Sequence, residues 1–274
     1  MYRNAFTRAN KGLIVFLIDQ SGSMSDTWSN GLSLAENAAN SINFTLNNII
    51  LGLTEGSTGD VKNSAMIAAI GYGGREDHTA ETLFCDSIDK IDEIFPSVPT
   101  IVATKEGNAT MDCIRAVETK AEYGTPMASA FKMAKDTVEA WIQTHNDVND
   151  PVPVVINISD GAPTDSEIDV KKYANEILSM SIPDGSPLIF NIHISESSTA
   201  KEIKFPADGE TMPDRMSQLL YDISSKATQD LIKEIPLLQS KNIQPDNRLF
   251  MSNVRKAEEL VEFLQLGTKV TKMK

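Results

Sequence analysis

Residues 13–23 read Leu13-Ile14-Val15-Phe16-Leu17-Ile18-Asp19-Gln20-Ser21-Gly22-Ser23, six apolar residues in a row that halt at an aspartate and a hydroxyl-rich turn. A run this short, closed by a polar turn, reads as a strand buried on both faces. Two more stretches have the same form. Val152 to Ile158 stops at Ser159-Asp160-Gly161, and Leu188 to Ile194 stops at Ser195. Ala65 to Tyr72 reads as a fourth strand and Leu249 to Met251 as a short fifth.

Between these runs, apolar residues recur every three to four positions, the period of one helix face. Ala35, Ala38, Ile42, Leu46 and Ile49 mark the first helix, with Gly52 as its stop. Met127, Phe131, Ala134, Val138 and Trp141 mark the next, and Val170, Tyr173, Ile177 and Met180 another that starts at Pro163-Thr164-Asp165. Met216, Leu219, Leu220 and Ile223 follow, and Ala257, Leu260, Val261 and Leu264 close the series with Gly267 as C-cap. Strands alternating with amphipathic helices predict an α/β fold, a doubly wound, mainly parallel central sheet with helices on both faces. Residues 75–121 and 195–214 break the alternation and read as loop insertions. Within the first, Ile101 to Thr104, a turn at Glu106-Gly107-Asn108 and Thr110 to Ile114 spell a hairpin. No repeat, low-complexity tract or long linker divides the chain, so residues 1–274 read as one domain with a core over about 11–267.

Composition limits the function classes. Apolar residues at 41% and charged residues at 23% describe an ordinary globular protein, long enough to bury a core without disulfides. The formal charge of −13 argues against a nucleic-acid partner, which needs clustered Lys and Arg. No apolar run is long enough to span a bilayer. The N-terminal segment lacks a small-residue cleavage site, so a cytoplasmic protein is expected. Cys85 and Cys113 are too few for a disulfide framework or a zinc site; they read as free thiols that would pair only under oxidising conditions.

Three loops at element boundaries carry hard oxygen donors: Asp19-Gln20-Ser21-Gly22-Ser23, Gly124-Thr125-Pro126-Met127 and Ser159-Asp160-Gly161. In a doubly wound sheet, such loops converge outside the carboxyl ends of the strands. Hydroxyls and carboxylates without Cys or His select a hard cation, Mg²⁺ first, with Mn²⁺ or Ca²⁺ as alternatives. Gly22 lets the first loop turn tightly enough for Ser21 and Ser23 to face one ion.

Asp-x-Ser-x-Ser after a buried strand, then Gly-Thr-Pro, then Ser-Asp-Gly-x-Pro-Thr-Asp, in this order, resembles the metal-ion-dependent adhesion site of von Willebrand factor A (VWA) domains. The resemblance runs from Leu13 to Leu264 and implies that Asp19, Ser21, Ser23, Thr125 and Asp160 surround the metal. It further implies direct coordination by Ser21, Ser23 and often Thr125, with Asp19 and Asp160 acting largely through water. Gln20 stands where a small or hydroxylic residue is commoner, and Ser159 where Thr is, yet neither change removes a ligand. The wording Phe-Leu-Ile-Asp-Gln-Ser-Gly-Ser-Met-Ser is similar to bacterial intracellular VWA proteins of the tellurite-resistance (TerY-like) type. That implies a role in a stress-response or regulatory assembly. The family also implies that ligand capture is coupled to displacement of the last helix, here Val254 to Leu264.

The expected function is a protein-interaction module in which a partner protein's Asp or Glu completes the Mg²⁺ shell, with no catalytic residue. The alternative is a Mg²⁺-dependent phosphohydrolase or phosphotransferase, which also uses an aspartate at a strand end. Neither a Gly-x-Ser-x-Gly elbow nor a phosphate-binding Gly-Lys-Ser/Thr loop occurs, and Gly71-Tyr72-Gly73-Gly74 reads as a strand exit. His78, His145 and His193 have no ligand spacing, and His193 reads as a structural residue on a buried strand. Trp28 and Met24, just past the metal loop, read equally as exposed partner anchors or as cover for the first long helix. Asp165 and Glu167 are expected to favour the N-terminus of their own helix.

Overall fold

Residues Gly12–Asp19 form β1, an interior strand of the sheet, and all eight are buried. The computed structural model describes residues 2–56, 58–195 and 199–269. β1 pairs in parallel with β2 (Ala65–Tyr72) on one side. Beyond β2, β3 (Ala80–Ser87) runs antiparallel as the edge strand. A separate hairpin follows, made of β4 (Ser97–Thr104) and β5 (Gly107–Ile114). On its other side β1 pairs in parallel with β6 (Val154–Ser159), which pairs in parallel with β7 (Leu188–Ile194). The two-residue β8 (Ile203–Lys204) runs antiparallel along β9 (Phe250–Val254), the parallel neighbour of β7. Among the described residues the seven-stranded order is therefore β3-β2-β1-β6-β7-β9-β8. The chain moves outward from β1 through β2 and later re-enters on the opposite side through β6. The gap between the carboxyl ends of β1 and β6 is thus the point where strand order reverses, the usual ligand position in such sheets.

Alternation along β1 divides the core. Ile14, Phe16 and Ile18 pack in one apolar cluster with Leu34, Ile42 and Leu46 of α1 (Leu34–Leu53), Ile88 and Ile91 of α2 (Ile88–Ile94), and Leu260 and Leu264 near the C-terminus. Leu13, Val15 and Leu17 pack on the other face with Phe131 and Val138 of α3 (Met127–Thr144), Val170 and Ile177 of α4 (Glu167–Ser179), and Leu219 and Leu220 of α5 (Arg215–Asp222). The short α6 (Gln229–Glu234) and α7 (Pro236–Ser240) precede β9, and α8 (Ala257–Lys269) closes the chain. Helices thus cover both faces of a mainly parallel sheet, as the alternation predicts. No described helix is long and apolar enough to cross a membrane.

Helix ends are where the sequence and the structure part. α1 starts at a capping box: the Glu36 amide donates to Ser33 Oγ at 3.1 Å and the Ser33 amide donates to Glu36 Oε2 at 2.7 Å. It runs past Gly52 to Leu53 and ends where Thr54 turns to extended backbone, its hydroxyl donating to the Ile50 carbonyl at 2.8 Å. α4 begins at Glu167 behind Ser166, whose Oγ accepts the Asp169 amide, so Pro163-Thr164-Asp165 lies outside it. Asp165 serves a different helix. Its carboxylate accepts the Ala128 and Ser129 amides of α3 at 3.0 and 3.1 Å, where Pro126 provides no side-chain cap. Asp165→Ala is expected to remove a cap of about 1 kcal/mol and lower the melting temperature by a few degrees in calorimetry. An unchanged melt would show that the α3 amides do not depend on it. Gly267, read as a C-cap, lies inside α8; a Cβ there would sit 2.7 Å from Ile156 Cδ1, so glycine permits the helix to lie close on the sheet.

The two segments read as loop insertions hold regular structure: residues 75–121 contain β3, α2 and the hairpin, and 195–214 contain β8. The hairpin turn comes one residue earlier than the glycine suggested, with Gly107 at φ 116 opening β5.

Candidate metal centre

The Asp19–Ser23 loop leaves β1 and folds at once into a short 3₁₀ turn over Gly22–Ser25. Asp19 is only 1% exposed, and both its oxygens are engaged. Oδ1 accepts the Ser21 amide at 2.9 Å and Oδ2 accepts the Ser159 hydroxyl at 2.6 Å. Ser159 ends β6, so this bond ties the two central strands at their carboxyl ends. The Ser21 and Ser23 hydroxyls lie 3.2 Å apart, and Ser23 donates to Asp160 Oδ1 at 3.0 Å. Thr125 arrives from the second loop, Gly124-Thr125-Pro126. Its amide donates to Thr164 Oγ1 and its carbonyl accepts the Thr164 amide, both at 2.9 Å.

A Cβ built on Gly161 would stand 3.5 Å from Ser23 Oγ and 4.0 Å from Thr125 Oγ1. The missing side chain therefore leaves a small space that both hydroxyls border. The N-cap of α3 is Pro126, which leaves the Thr125 hydroxyl unspent on capping. All five sequence-predicted ligands thus come to one place: Asp19, Ser21, Ser23 and Asp160 through direct hydrogen bonds, Thr125 across Gly161.

Electrostatics mark the same place. Burial raises the Asp19 carboxyl above its ordinary value despite the hydrogen bonds it accepts. Burial, then the charge of Asp19, pushes Asp160 up to about 7. Neither carboxylate forms an ion pair with a described Lys, Arg or His. Two acids held together without a counter-charge, next to three hydroxyls, are a donor set that fits a hard divalent cation. Among the described residues no three His, Cys, Asp or Glu side chains cluster as metal ligands, so any such centre here is built mainly of hydroxyls.

The strand exit at Gly71–Gly74 shapes the site in a way the sequence does not signal. Gly73, at φ 111, lies directly beneath the loop: a Cβ there would be 2.5 Å from the Ser21 nitrogen. Gln20 is accommodated by Gly71, where a Cβ would fall 2.2 Å from Gln20 Oε1. His193 is buried as expected, and braces the third loop with Nε2 3.2 Å from the Asp160 carbonyl and Nδ1 3.4 Å from Ser252 Oγ. His145 stacks on Trp141 at 3.6 Å along α3, away from the loops. Cys85 and Cys113 are unbridged.

Trp28 and Met24 are not exposed anchors. Trp28 is 4% exposed with its indole donating to the Ser195 carbonyl at 3.1 Å, and Met24 is fully buried, so both cover the core.

No family model and no curated protein matches the chain. Among solved structures it is similar to the VWA domain of SpRpn10, at 10% identity and a TM-score of 0.45, over 79% of this chain and 83% of that one. It is also similar to the manganese-loaded TRAP protein of Plasmodium vivax, at 14% identity and a TM-score of 0.42, over 94% of this chain and 73% of that one. A third likeness is to the vWF domain of the type V pili tip protein Mfa5 from Porphyromonas gingivalis, at 18% identity and a TM-score of 0.35, over 56% of this chain and 39% of that one.

Proposed function

We propose that the chain is a metal-dependent protein-interaction module of the VWA kind. In this reading Ser21, Ser23 and Thr125 hold Mg²⁺ directly, Asp19 and Asp160 hold it largely through water, and a partner's Asp or Glu completes the shell. Mn²⁺ or Ca²⁺ would meet the same donors. The observation that carries the reading is the convergence of two uncompensated carboxylates and three hydroxyls at the reversal of strand order, with Ser23 exposed to solvent. The bound cation would supply positive charge to an incoming carboxylate. The wording of the first loop further suggests a partner within a stress-response assembly of the tellurite-resistance type.

Docking is favoured over phosphoryl chemistry by the state of Asp19. A carboxylate that attacks phosphorus must present a free oxygen, whereas both oxygens of Asp19 face donors from its own fold. The test is affinity capture in Mg²⁺ and in chelator, with wild type, Asp19→Ala and Ser21→Ala. Partner recovery is expected to fall at least about tenfold, roughly 1.4 kcal/mol, in chelator and in both variants. Equal recovery under all conditions would sink the metal bridge. Phosphate release with Mg²⁺ that disappears in Asp19→Asn would replace docking by catalysis.

A further inference from the structure

Tyr123 stands beside the candidate cage with 51% of its surface exposed, and among the described residues no other Phe, Tyr or Trp is so open. Its backbone lies in the left-handed region at φ 59, which residues bearing a side chain adopt seldom. The cause is local: the Tyr123 carbonyl accepts the Gly22 amide at 3.0 Å, and the Glu122 amide donates to the Gln20 carbonyl at 2.8 Å. Tyr123 is thereby fastened to the loop that carries Ser21 and Ser23. His78 meets it edge-on, with ring centroids 6.2 Å apart and planes at 84°, and His78 is itself left-handed at φ 54. Two residues held in a sparsely populated conformation at one rim indicate an aromatic surface the fold keeps in place at some cost.

In the loops that carry Tyr123, His78 and the first donors, the acidic charge outnumbers the basic, and the basic groups are paired. Arg75 is committed to Asp77 at 2.7 Å and Glu81 at 3.2 Å, and Lys120 to Glu81 at 3.5 Å. Asp26, Glu76 and Glu122 are exposed and form no ion pair among the described residues. An open depression of about 450 Å³, lined by Arg75, Glu76 and Asp77, lies in the same loop as His78. A partner carrying only a carboxylate would approach the cage through this negative rim. A cation next to that carboxylate would offset the repulsion, and the face of a tyrosine ring attracts a guanidinium or ammonium group.

We propose that this rim selects the residues flanking the metal-bound acid. The preferred partner segment carries an Arg or Lys within roughly three residues of its Asp or Glu, laid over the Tyr123 ring with Glu76 and Glu122 as counter-charges. The inference rests on the metal-capture reading above. A randomised short-peptide array with a fixed central Glu separates the two, probed with wild type, Tyr123→Ala, Tyr123→Phe and a Glu76→Gln/Glu122→Gln double variant, each in Mg²⁺ and in chelator. Among peptides held only in Mg²⁺, Arg and Lys flanks are expected to be enriched about fivefold to tenfold. The enrichment should vanish in Tyr123→Ala, survive in Tyr123→Phe and weaken in the double variant. All variants should keep the wild-type thermal response to Mg²⁺, which reports an intact cage. Mg²⁺-dependent binding without a basic preference, or a preference that survives Tyr123→Ala, overturns the rim and leaves metal capture standing. An array with no Mg²⁺-dependent peptide overturns both.

Discussion

Saturating Mg²⁺ is expected to raise the melting temperature of the wild-type protein by about 5–10 °C, and Asp19→Asn to abolish the rise. A ligand at about a hundred times its dissociation constant stabilises the folded state by about 2.7 kcal/mol. In a domain of this size each kcal/mol moves the midpoint by roughly 2–4 °C. The same variant should melt above the wild type in chelator at alkaline pH. Burial raises Asp19, and burial plus the Asp19 charge pushes Asp160 up to about 7, from 3.8 in an unfolded chain. A carboxyl that binds its proton more tightly when folded stabilises the protein at low pH, and that contribution drains away as pH rises from the unfolded value through the folded one. Metal-free wild type should therefore lose stability between about pH 4 and pH 7 and stay weakened above.

Asparagine removes the buried charge yet keeps the contacts, accepting the Ser21 amide through its oxygen and donating its amide to Ser159. Since Mg²⁺ needs ionised carboxylates, its stabilising effect on wild type should be larger at pH 8 than at pH 5. Calorimetry of both proteins at the two pH values, with Mg²⁺ and with chelator, decides the matter. Equal Mg²⁺ shifts in wild type and variant would reject the site. A metal-free melt that does not fall with pH would reject its electrostatics.

What could be read from the chain is what local pattern encodes. β1 announces itself because burial on both faces leaves no polar position between Leu13 and Ile18; its neighbour β6 and, beyond it, β7 are as fully buried and are mostly apolar, with Asn157, Asn191 and His193 as internal exceptions. The proposed donors are visible because they sit at element boundaries: Asp19, Ser21 and Ser23 at and just past the end of β1, Asp160 just past β6, and Thr125 two residues before α3. The hairpin shows through Gly107. β3 does not: as an edge strand, Ala80–Ser87 exposes parts of both faces and carries no clean alternation.

Other assignments depend on residues distant in sequence, which no local rule reaches. Asp165 caps a helix that begins 38 residues earlier, at Met127, and nothing around Asp165 names that helix. Gly267 resembles a C-cap until Ile156 is placed under it. The fate of Trp28 was undecidable from position alone, since the Ser195 carbonyl that satisfies its indole lies 167 residues away. Tyr123 belongs to no sequence motif, and only the bond from the Gly22 amide to its carbonyl ties it to the loop after β1.

Gly73→Ala is expected to be the most damaging small substitution at the site, costing about 3–5 kcal/mol, about 10 °C in melting temperature, and the Mg²⁺ response with it. Two effects combine at this position. The backbone sits at φ 111, where an L side chain is strained, an effect of about 1–3 kcal/mol. In addition, the new Cβ would lie 2.5 Å from the Ser21 nitrogen and 2.7 Å from both Ser21 Cα and the Gly124 carbonyl oxygen. All three are backbone atoms, so no side-chain rotation relieves the clash. Either the loop holding Ser21 and Ser23 must lift or the turn holding Thr125 must retreat, and each movement opens the cage. Gly31→Ala isolates the first effect, because Gly31 has φ 85 but nothing within 4 Å of an added Cβ. That variant should lose only about 1–2 kcal/mol and keep its full thermal response to Mg²⁺. If Gly73→Ala also kept that response at a near-wild-type midpoint, the close packing of β2 against the metal loop could not be what holds the five donors together.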